Sequence, residues 1–153
     1  PWGLDIFRSK NMSLYKAFKT SKKLETEGVT FELYGNRITM ARAGAANTDF
    51  VAAMTKKTQP YRRQIAQGSM DPKEELRLLR EVYAETVILG WETQVGGEWK
   101  SGIETESGGL IPFTPDNVIK TLEALPELFI ELQGLASNAA QYRAEDLKDD
   151  AGN

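Results

Sequence analysis

Residues 29–41 read VTFELYGNRITMA, and this stretch decides the fold class of the chain. Apolar and polar residues alternate along it, and this period of two is typical of a strand with one buried face. Gly35 and Asn36 stand at its centre, and both accept the positive φ angles that a two-residue hairpin turn requires. The sequence therefore predicts a β-hairpin over about residues 29–42.

The position of the turn fixes the predicted pairing of the two strands. Leu33 is then opposite Ile38. The next apolar pair is Phe31 with Met40, and Val29 lies on the same face, while threonines and charged residues take the other face. Two strands alone are marginally stable in water. The hairpin must therefore pack on helices or join a neighbour's sheet.

After the hairpin, apolar residues recur with helical spacing, which predicts four to five helices. Capping residues and prolines mark the predicted starts, at Asn47 or Thr48, Pro60, Asp71-Pro72, Thr114-Pro115 and Pro126. The helix that starts at Asp71-Pro72 is predicted to continue to Gly90. The predicted fold class is therefore α+β, mainly α, with an N-terminal β-hairpin followed by four to five helices.

The stretch from Trp91 to Gly109 interrupts this helical pattern. It is rich in Gly, Ser and Thr, and it contains Gly96-Gly97, a pair that suits a tight turn. Apolar residues on both sides of that pair allow a second, short hairpin. We place this possible hairpin around residues 93–112.

The length of 153 residues fits one domain with a sizeable core. We assign residues 12–145 to this single domain. Residues 1–11 precede Met12-Ser13, which looks like a native start, so they are predicted to be an expression remnant or an extension of the reading frame. Residues 146–153 are polar and acidic, and we expect them to fray.

Charge is distributed unevenly along the chain. Residues 1–67 carry twelve Lys/Arg against five Asp/Glu, whereas residues 68–153 carry seven against seventeen. One interpretation is that the two halves pack together and neutralise each other. Another is head-to-tail self-association between a basic and an acidic surface. Nucleic-acid binding is disfavoured, because no stacking aromatic residues interleave with the basic charges and the acidic half would repel phosphate.

The composition argues against an enzyme. The chain has no His and no Cys, so the commonest general base, the thiolate nucleophile and the commonest metal ligands are missing. Most carboxylates are predicted on solvent faces of helices, where Arg and Lys at i+3 or i+4 pair with them. No apolar run approaches the ~18 residues of a membrane span. We therefore predict no catalytic, metal or cofactor site and no membrane partner. We therefore expect the chain to act by binding.

Apolar helical stripes and loop tryptophans are the candidate protein-binding residues. The last helix offers a stripe of the helix-in-groove type. The candidates are Leu128, Phe129, Leu132, Leu135 and Tyr142, together with Trp91 and Trp99. The alternative for the two tryptophans is a core role, since a loop tryptophan often closes the edge of a core.

Six segments carry a resemblance to a known family. They are Ala41–Asn47, Thr58–Arg63, Glu81–Glu92, Pro112–Thr114, Leu125–Phe129 and Ala151–Asn153. None is specific alone, but the ordered set resembles the tail assembly chaperones of bacteriophages with long, non-contractile tails. The likeness runs from about Thr20 to the end of the chain.

The resemblance implies a function in tail morphogenesis. Proteins of that family bind and coat the helical tape measure protein in the host cytoplasm and help to recruit the major tail tube protein. They then leave, so the chain is not expected in the mature virion. The alternative is a structural tail component that the virion retains.

Overall fold

The structure is a computed structural model that describes residues 13–143. The predicted leading segment, residues 1–11, and the predicted acidic tail, residues 146–153, lie outside the described residues. Both therefore remain predictions. In the described part, no helix has the length and apolar character needed to cross a membrane.

Groups of helices and groups of strands follow one another along residues 13–143. The helices are α1 (Leu14–Phe18), α2 (Lys22–Glu27), α3 (Thr48–Thr58), α4 (Arg62–Gln67), α5 (Pro72–Thr86), α6 (Pro115–Ala124) and α7 (Pro126–Ser137). The strands are β1 (Val29–Leu33), β2 (Asn36–Met40), β3 (Ile88–Val95), β4 (Glu98–Ser101), β5 (Ile103–Glu104) and β6 (Leu110–Ile111). The described residues also contain two 3₁₀ helices, Gln59–Tyr61 and Ala139–Tyr142.

The predicted architecture is wrong. A four-stranded antiparallel sheet, in the order β1-β2-β3-β4, stands in the middle of the fold, and β5 and β6 form a separate two-stranded sheet. Helices α1 and α2 precede the first hairpin, so it is not an N-terminal unit followed by helices. The hairpin pairs through β2 with β3, which satisfies its need for a third strand. The strands that turn at Gly96-Gly97 begin at Ile88 and belong to this same sheet.

The hairpin register differs from the prediction by two residues. Leu33 is opposite Asn36, and Phe31 is opposite Ile38. Tyr34 and Gly35 form the turn, with φ angles of 49° and 77°. Asn36 is held in β2 instead, because its amide donates to the Leu33 carbonyl at 3.1 Å. A shift of two residues keeps every side chain on its own face. The predicted apolar face therefore survives the wrong register.

Helix starts agree with the predicted caps. Asn47 caps α3, Asp71 caps α5 and Thr114 caps α6, each by accepting a hydrogen bond from a backbone N–H in the first turn. Helix α5, however, ends at Thr86 and does not reach Gly90. The apolar residues that follow belong to strand β3, because a short apolar run does not distinguish a buried helix end from a buried strand.

The core lies between the inner face of the sheet and the helices α5, α6 and α7. Its aromatic centre is Tyr83, which meets Phe129 edge to face at 5.2 Å between ring centroids and Phe50 at 6.3 Å. Val87, Leu122 and other apolar side chains fill the rest of this buried cluster. One cluster thus joins the sheet to all three helices.

Tyr142 ties the end of the described chain to the hairpin. Its side chain is fully buried, and its hydroxyl lies 3.1 Å from the Met40 carbonyl and 3.2 Å from the Ala41 carbonyl. Its backbone carbonyl accepts a hydrogen bond from the N–H of Ser21 at 2.7 Å. The residue therefore fastens α2 and the last 3₁₀ turn to the same end of β2.

A buried ion pair stands beside this tyrosine. Arg42 donates to the carboxylate of Glu25 at 3.0 Å, and the Glu25 side chain is only 2% exposed. The guanidinium also lies 5.8 Å from the centroid of the Tyr142 ring. A buried carboxylate needs such a partner, since an unpaired one carries a large desolvation cost. Arg42 thus fixes helix α2 against the loop that follows β2.

We predict that Tyr142→Phe lowers the free energy of unfolding by about 1–3 kcal/mol, because it leaves two buried carbonyls without their donor. Urea unfolding followed by circular dichroism measures the change. Tyr34→Phe is the matched control, since Tyr34 is 97% exposed and should unfold like the wild type. Equal stability of the two variants would contradict the role assigned to Tyr142.

Burial of tyrosine predicts a loss of stability in alkali. Desolvation raises the pKa of Tyr83 to about 12, and burial also raises the pKa of Tyr142. In the unfolded chain these phenols lose their protons near pH ~10. The unfolded state then binds fewer protons than the folded state, so stability falls as pH rises above ~10. Tyr83→Phe should flatten this decline in urea unfolding between pH ~9 and ~12, whereas an unchanged slope would contradict it.

Candidate functional site

An open apolar groove of about 540 Å³ is the candidate functional site. We call it the hairpin–corner groove, because it lies between the β1–β2 turn, strand β5 and the corner between α6 and α7. Its apolar walls are Leu33, Tyr34, Ile38, Ile103, Ala124, Leu125, Pro126 and Leu128, and its polar residues are Asn36, Glu104, Glu127 and Glu131. Its volume falls in the range of sites that hold a small ligand or a few anchoring side chains.

The tight hairpin turn presents Tyr34 at the groove. Tyr34 has a positive φ of 49°, which non-glycine residues adopt infrequently, and its side chain is 97% exposed. The Asn36 amide supports this conformation by donating to the Tyr34 carbonyl at 3.0 Å. A large apolar ring is therefore held in solvent at the mouth of the groove by a strained turn, and it is free to contact a partner.

Thr93 fixes the second wall, strand β5, to the central sheet. Its buried hydroxyl lies 2.9 Å from the carbonyl of Gly102 and accepts a hydrogen bond from the N–H of Glu104 at 3.1 Å. Gly102 is required at this point, since it has a φ of 117° and a side chain would meet the Ile111 carbonyl at 3.0 Å. Ile103, between the two contacts, is thereby positioned beside the groove.

The third wall is the sharp corner at Leu125-Pro126. Helix α6 ends at Ala124, and Pro126 occupies the first turn of α7. A backbone N–H at that position has no partner within the helix, so its absence in proline removes no helical hydrogen bond. Leu125 between them has non-helical angles and is 50% exposed. Leu128 follows one turn later and is half-buried. The corner thus exposes leucine side chains to the groove.

The polar rim of the groove is acidic. Glu104, Glu127 and Glu131 are exposed, and within residues 13–143 none of them pairs with a cation. Neither Lys nor Arg is among the described residues that line the groove. The same part of the chain holds no group of three acidic side chains arranged to bind a metal. The arrangement fits an apolar ligand with positive charges at its edges.

The structure separates the predicted binding residues into core and surface. Phe129, Leu132 and Tyr142 are at most 3% exposed, and they belong to the core instead of a free binding stripe. Leu135 is half-buried and packs against the same core. Leu128 alone among these five lines the groove.

The two tryptophans also have different roles. Trp91 is 5% exposed, donates its indole N–H to the Ile111 carbonyl at 3.1 Å and meets Phe113 edge to face. Trp91 therefore closes the edge of the core, which is the alternative role predicted for a loop tryptophan. Trp99 is half-buried on the outer face of the sheet, where the Arg37 guanidinium lies 3.7 Å from its ring centroid. Neither tryptophan lines the groove.

Carboxylates of α5 form a surface network, as their spacing predicts. Arg77 donates to Glu74 at 2.7 Å and to Glu81 at 3.3 Å. The pKa of Glu74 is lowered, mainly because its carboxylate accepts a hydrogen bond from Arg77. Lys57 from α3 adds a pair with Glu85 at 3.1 Å, so some charge of the basic half meets the acidic half within one chain.

Sequence patterns missed most of the groove. Leu33, Tyr34, Ile103 and Leu125 come from three separate parts of the chain, and Leu128 belongs to an apparent helical stripe. The apolar pattern of the hairpin places Leu33 and Ile38 on a buried face, and no pattern predicts that Tyr34 and Leu125 are exposed. A pattern within one element does not show which elements meet in space.

We predict that Thr93→Val lowers the free energy of unfolding by about 1–3 kcal/mol and speeds hydrogen exchange of the Glu104 amide, because that amide loses its acceptor. NMR-detected exchange and urea unfolding measure the two effects. Thr39→Val is the control, since within residues 13–143 the Thr39 hydroxyl pairs only with that of Thr30, in an exposed contact. This variant should change stability by less than ~0.5 kcal/mol. Normal protection of Glu104 in Thr93→Val would contradict the prediction.

Comparison with known proteins assigns a family. No curated protein and no solved structure matches the chain. A family profile described as YdaY prophage protein matches residues 45–153, which is more than half of the chain and includes α3 through α7. The match supports the phage origin that the resemblance implies, without naming an activity. The chain therefore belongs to the YdaY prophage protein family.

Proposed function

We propose that this chain is a tail assembly chaperone that binds and coats the phage tape measure protein. On this proposal it acts in the host cytoplasm, helps to recruit the major tail tube protein and leaves before the virion is complete. Two observations from the sequence support the proposal. The chain belongs to a prophage protein family, and its ordered segments resemble the tail assembly chaperones.

The observation that carries the proposal is the hairpin–corner groove. Its apolar walls expose Tyr34 and Leu125, so they offer the kind of surface on which the apolar face of an amphipathic helix docks. A tape measure protein of the helical type that the resemblance implies would offer many such faces along its length. One groove per chaperone then allows many copies to cover one long client.

The acidic rim adds selectivity. Glu104, Glu127 and Glu131 have no cation beside them within the described residues, so a helix with Lys or Arg flanking its apolar anchors would complement the rim. A helix flanked by acidic residues would be repelled. The preferred client segment is therefore amphipathic and basic at its edges.

The direct test is co-expression of the chain with the tape measure protein of the same phage, followed by pull-down and affinity measurement. Leu125→Glu should weaken binding at least tenfold, since it places a charge in the centre of the apolar contact. Ile130→Glu is the matched control. Ile130 is 61% exposed on α7 but does not line the groove, so this variant should bind like the wild type.

The outcomes separate the proposal from its alternatives. Failure of the wild-type chain to capture the tape measure protein would contradict the proposed function. Equal binding by Leu125→Glu and Ile130→Glu would contradict the groove as its site. Mass spectrometry of purified virions distinguishes a chaperone, which is absent from them, from a structural tail component, which is present.

A further inference from the structure

Tyr34 occupies a turn position that the fold gives no reason to fill with an aromatic residue. Its φ of 49° lies in the left-handed region, and Gly35 follows with a φ of 77°. Two-residue hairpin turns with positive φ at both central positions favour Asn or Asp before Gly, because most other side chains are strained there. The asparagine of this hairpin comes after the glycine instead, at position 36. Tyrosine at position 34 therefore lowers the stability of the turn.

Packing of the ring does not offset this strain. Tyr34 is 97% exposed, more than the other exposed large apolar residues of the described chain. Within residues 13–143 its ring forms neither an aromatic pair nor a stack with a cation. A residue that breaks a local preference without a compensating contact is expected at a functional position.

Asn36 holds the strained turn in place. Its side-chain N–H groups donate to the carbonyls of Leu33 at 3.1 Å and Tyr34 at 3.0 Å, and its side-chain oxygen lies 2.9 Å from the Thr93 hydroxyl, which donates to it. The turn is thus fastened to strand β3 as well as closed on itself. A ring carried by such a turn is positioned before a partner arrives, so it loses less conformational freedom on binding.

The groove around this ring favours positive charge. Tyr34 lines the hairpin–corner groove together with Glu104, Glu127 and Glu131, whereas neither Lys nor Arg is among the described lining residues. The face of a tyrosine ring attracts an ammonium or guanidinium group, and carboxylates in the same groove favour the same ligand. We propose that Tyr34 is the specificity-determining residue of this groove and that its ring receives a Lys or Arg side chain of the client helix.

This inference rests on the proposed function, because it names the side chain that the groove selects in its client. Leu33, Leu125 and Leu128 offer an apolar surface that many amphipathic helices fit. The ring of Tyr34 adds a contact that only a helix with a cation beside its apolar anchors makes. Specificity is a difference of affinities, and this contact supplies such a difference between two equally apolar helices.

Urea unfolding of the isolated chain tests whether tyrosine is unfavourable for the fold. Tyr34→Asn gives the turn the Asn-Gly pair that such hairpins favour, and it should raise the folding equilibrium constant about threefold or more. Tyr34→Phe is the matched control, since it keeps both the ring and the strained φ, and it should unfold like the wild type. No increase in Tyr34→Asn would contradict the proposal that the tyrosine is kept for binding.

Two synthetic helical peptides test the cation contact without any tape measure protein. Both carry Leu anchors at positions i, i+3 and i+7. One has Arg beside the anchors, and the other has citrulline, which resembles Arg in shape but is neutral. Fluorescence anisotropy of the labelled peptides gives the two affinities and their ratio.

The wild-type chain should bind the Arg peptide at least ~10-fold more tightly than the citrulline peptide. Tyr34→Leu should reduce this ratio about threefold or more, because leucine keeps an apolar side chain but has no ring, whereas Tyr34→Phe should retain the ratio. Tyr15→Leu is the matched control. Tyr15 is 85% exposed but does not line the groove, so its variant should keep the wild-type ratio. Circular dichroism checks that all variants remain folded.

The outcomes distinguish this inference from the proposed function. An unchanged ratio in Tyr34→Leu would overturn the inference, and so would an equal decrease in Tyr15→Leu or the failure of the wild-type chain to bind the Arg peptide. Capture of the tape measure protein would rescue none of these results. Conversely, failure to capture that protein, with a ring-dependent preference for the Arg peptide, would contradict only the proposed function.

Discussion

The fold depends on the four residues Met40–Ala43, where most of its parts are tied together. Backbone N–H groups of this segment donate to Val87, Glu25 and Ala136, which bring in the end of α5, helix α2 and helix α7. Its carbonyls accept from Tyr142 and from the Asn47 amide. Buried peptide groups must find partners, so hydrogen bonds from one short segment to five partner residues leave the surrounding elements few alternative positions.

This junction lies at one end of the hairpin and leaves the other end free to build the groove. Strand β2 runs from the junction to Asn36, whose side chain meets the Thr93 hydroxyl at 2.9 Å. Thr93 in turn accepts a hydrogen bond from Glu104, so its side chain links the hairpin turn to β5. The α6–α7 corner joins them through the core. Hydrogen-bonded and packed elements therefore frame the groove, and a preformed site of this kind pays a smaller ordering cost on binding.

Local features of the chain are predictable from sequence, and their arrangement is not. The alternation of apolar and polar residues predicts the buried face of the hairpin, and capping residues predict the starts of α3, α5 and α6. The start of the third strand escapes prediction because its first apolar residues, Ile88 and Leu89, continue the pattern of α5. Helical spacing finds Phe129 and Leu132, but it does not distinguish a face that packs inward from one that binds a partner. The groove needs long-range contacts that no window of sequence contains.

The proposed function requires the tape measure protein to bind in the hairpin–corner groove. Hydrogen-exchange mass spectrometry of the chain, alone and bound to that protein, tests it most directly, because it maps the contact without any substitution. We expect new protection in three separate segments, residues 33–36, 103–104 and 124–131, and no change on the outer sheet face around Trp99. Protection confined to the outer face, or none in those three segments, would contradict it.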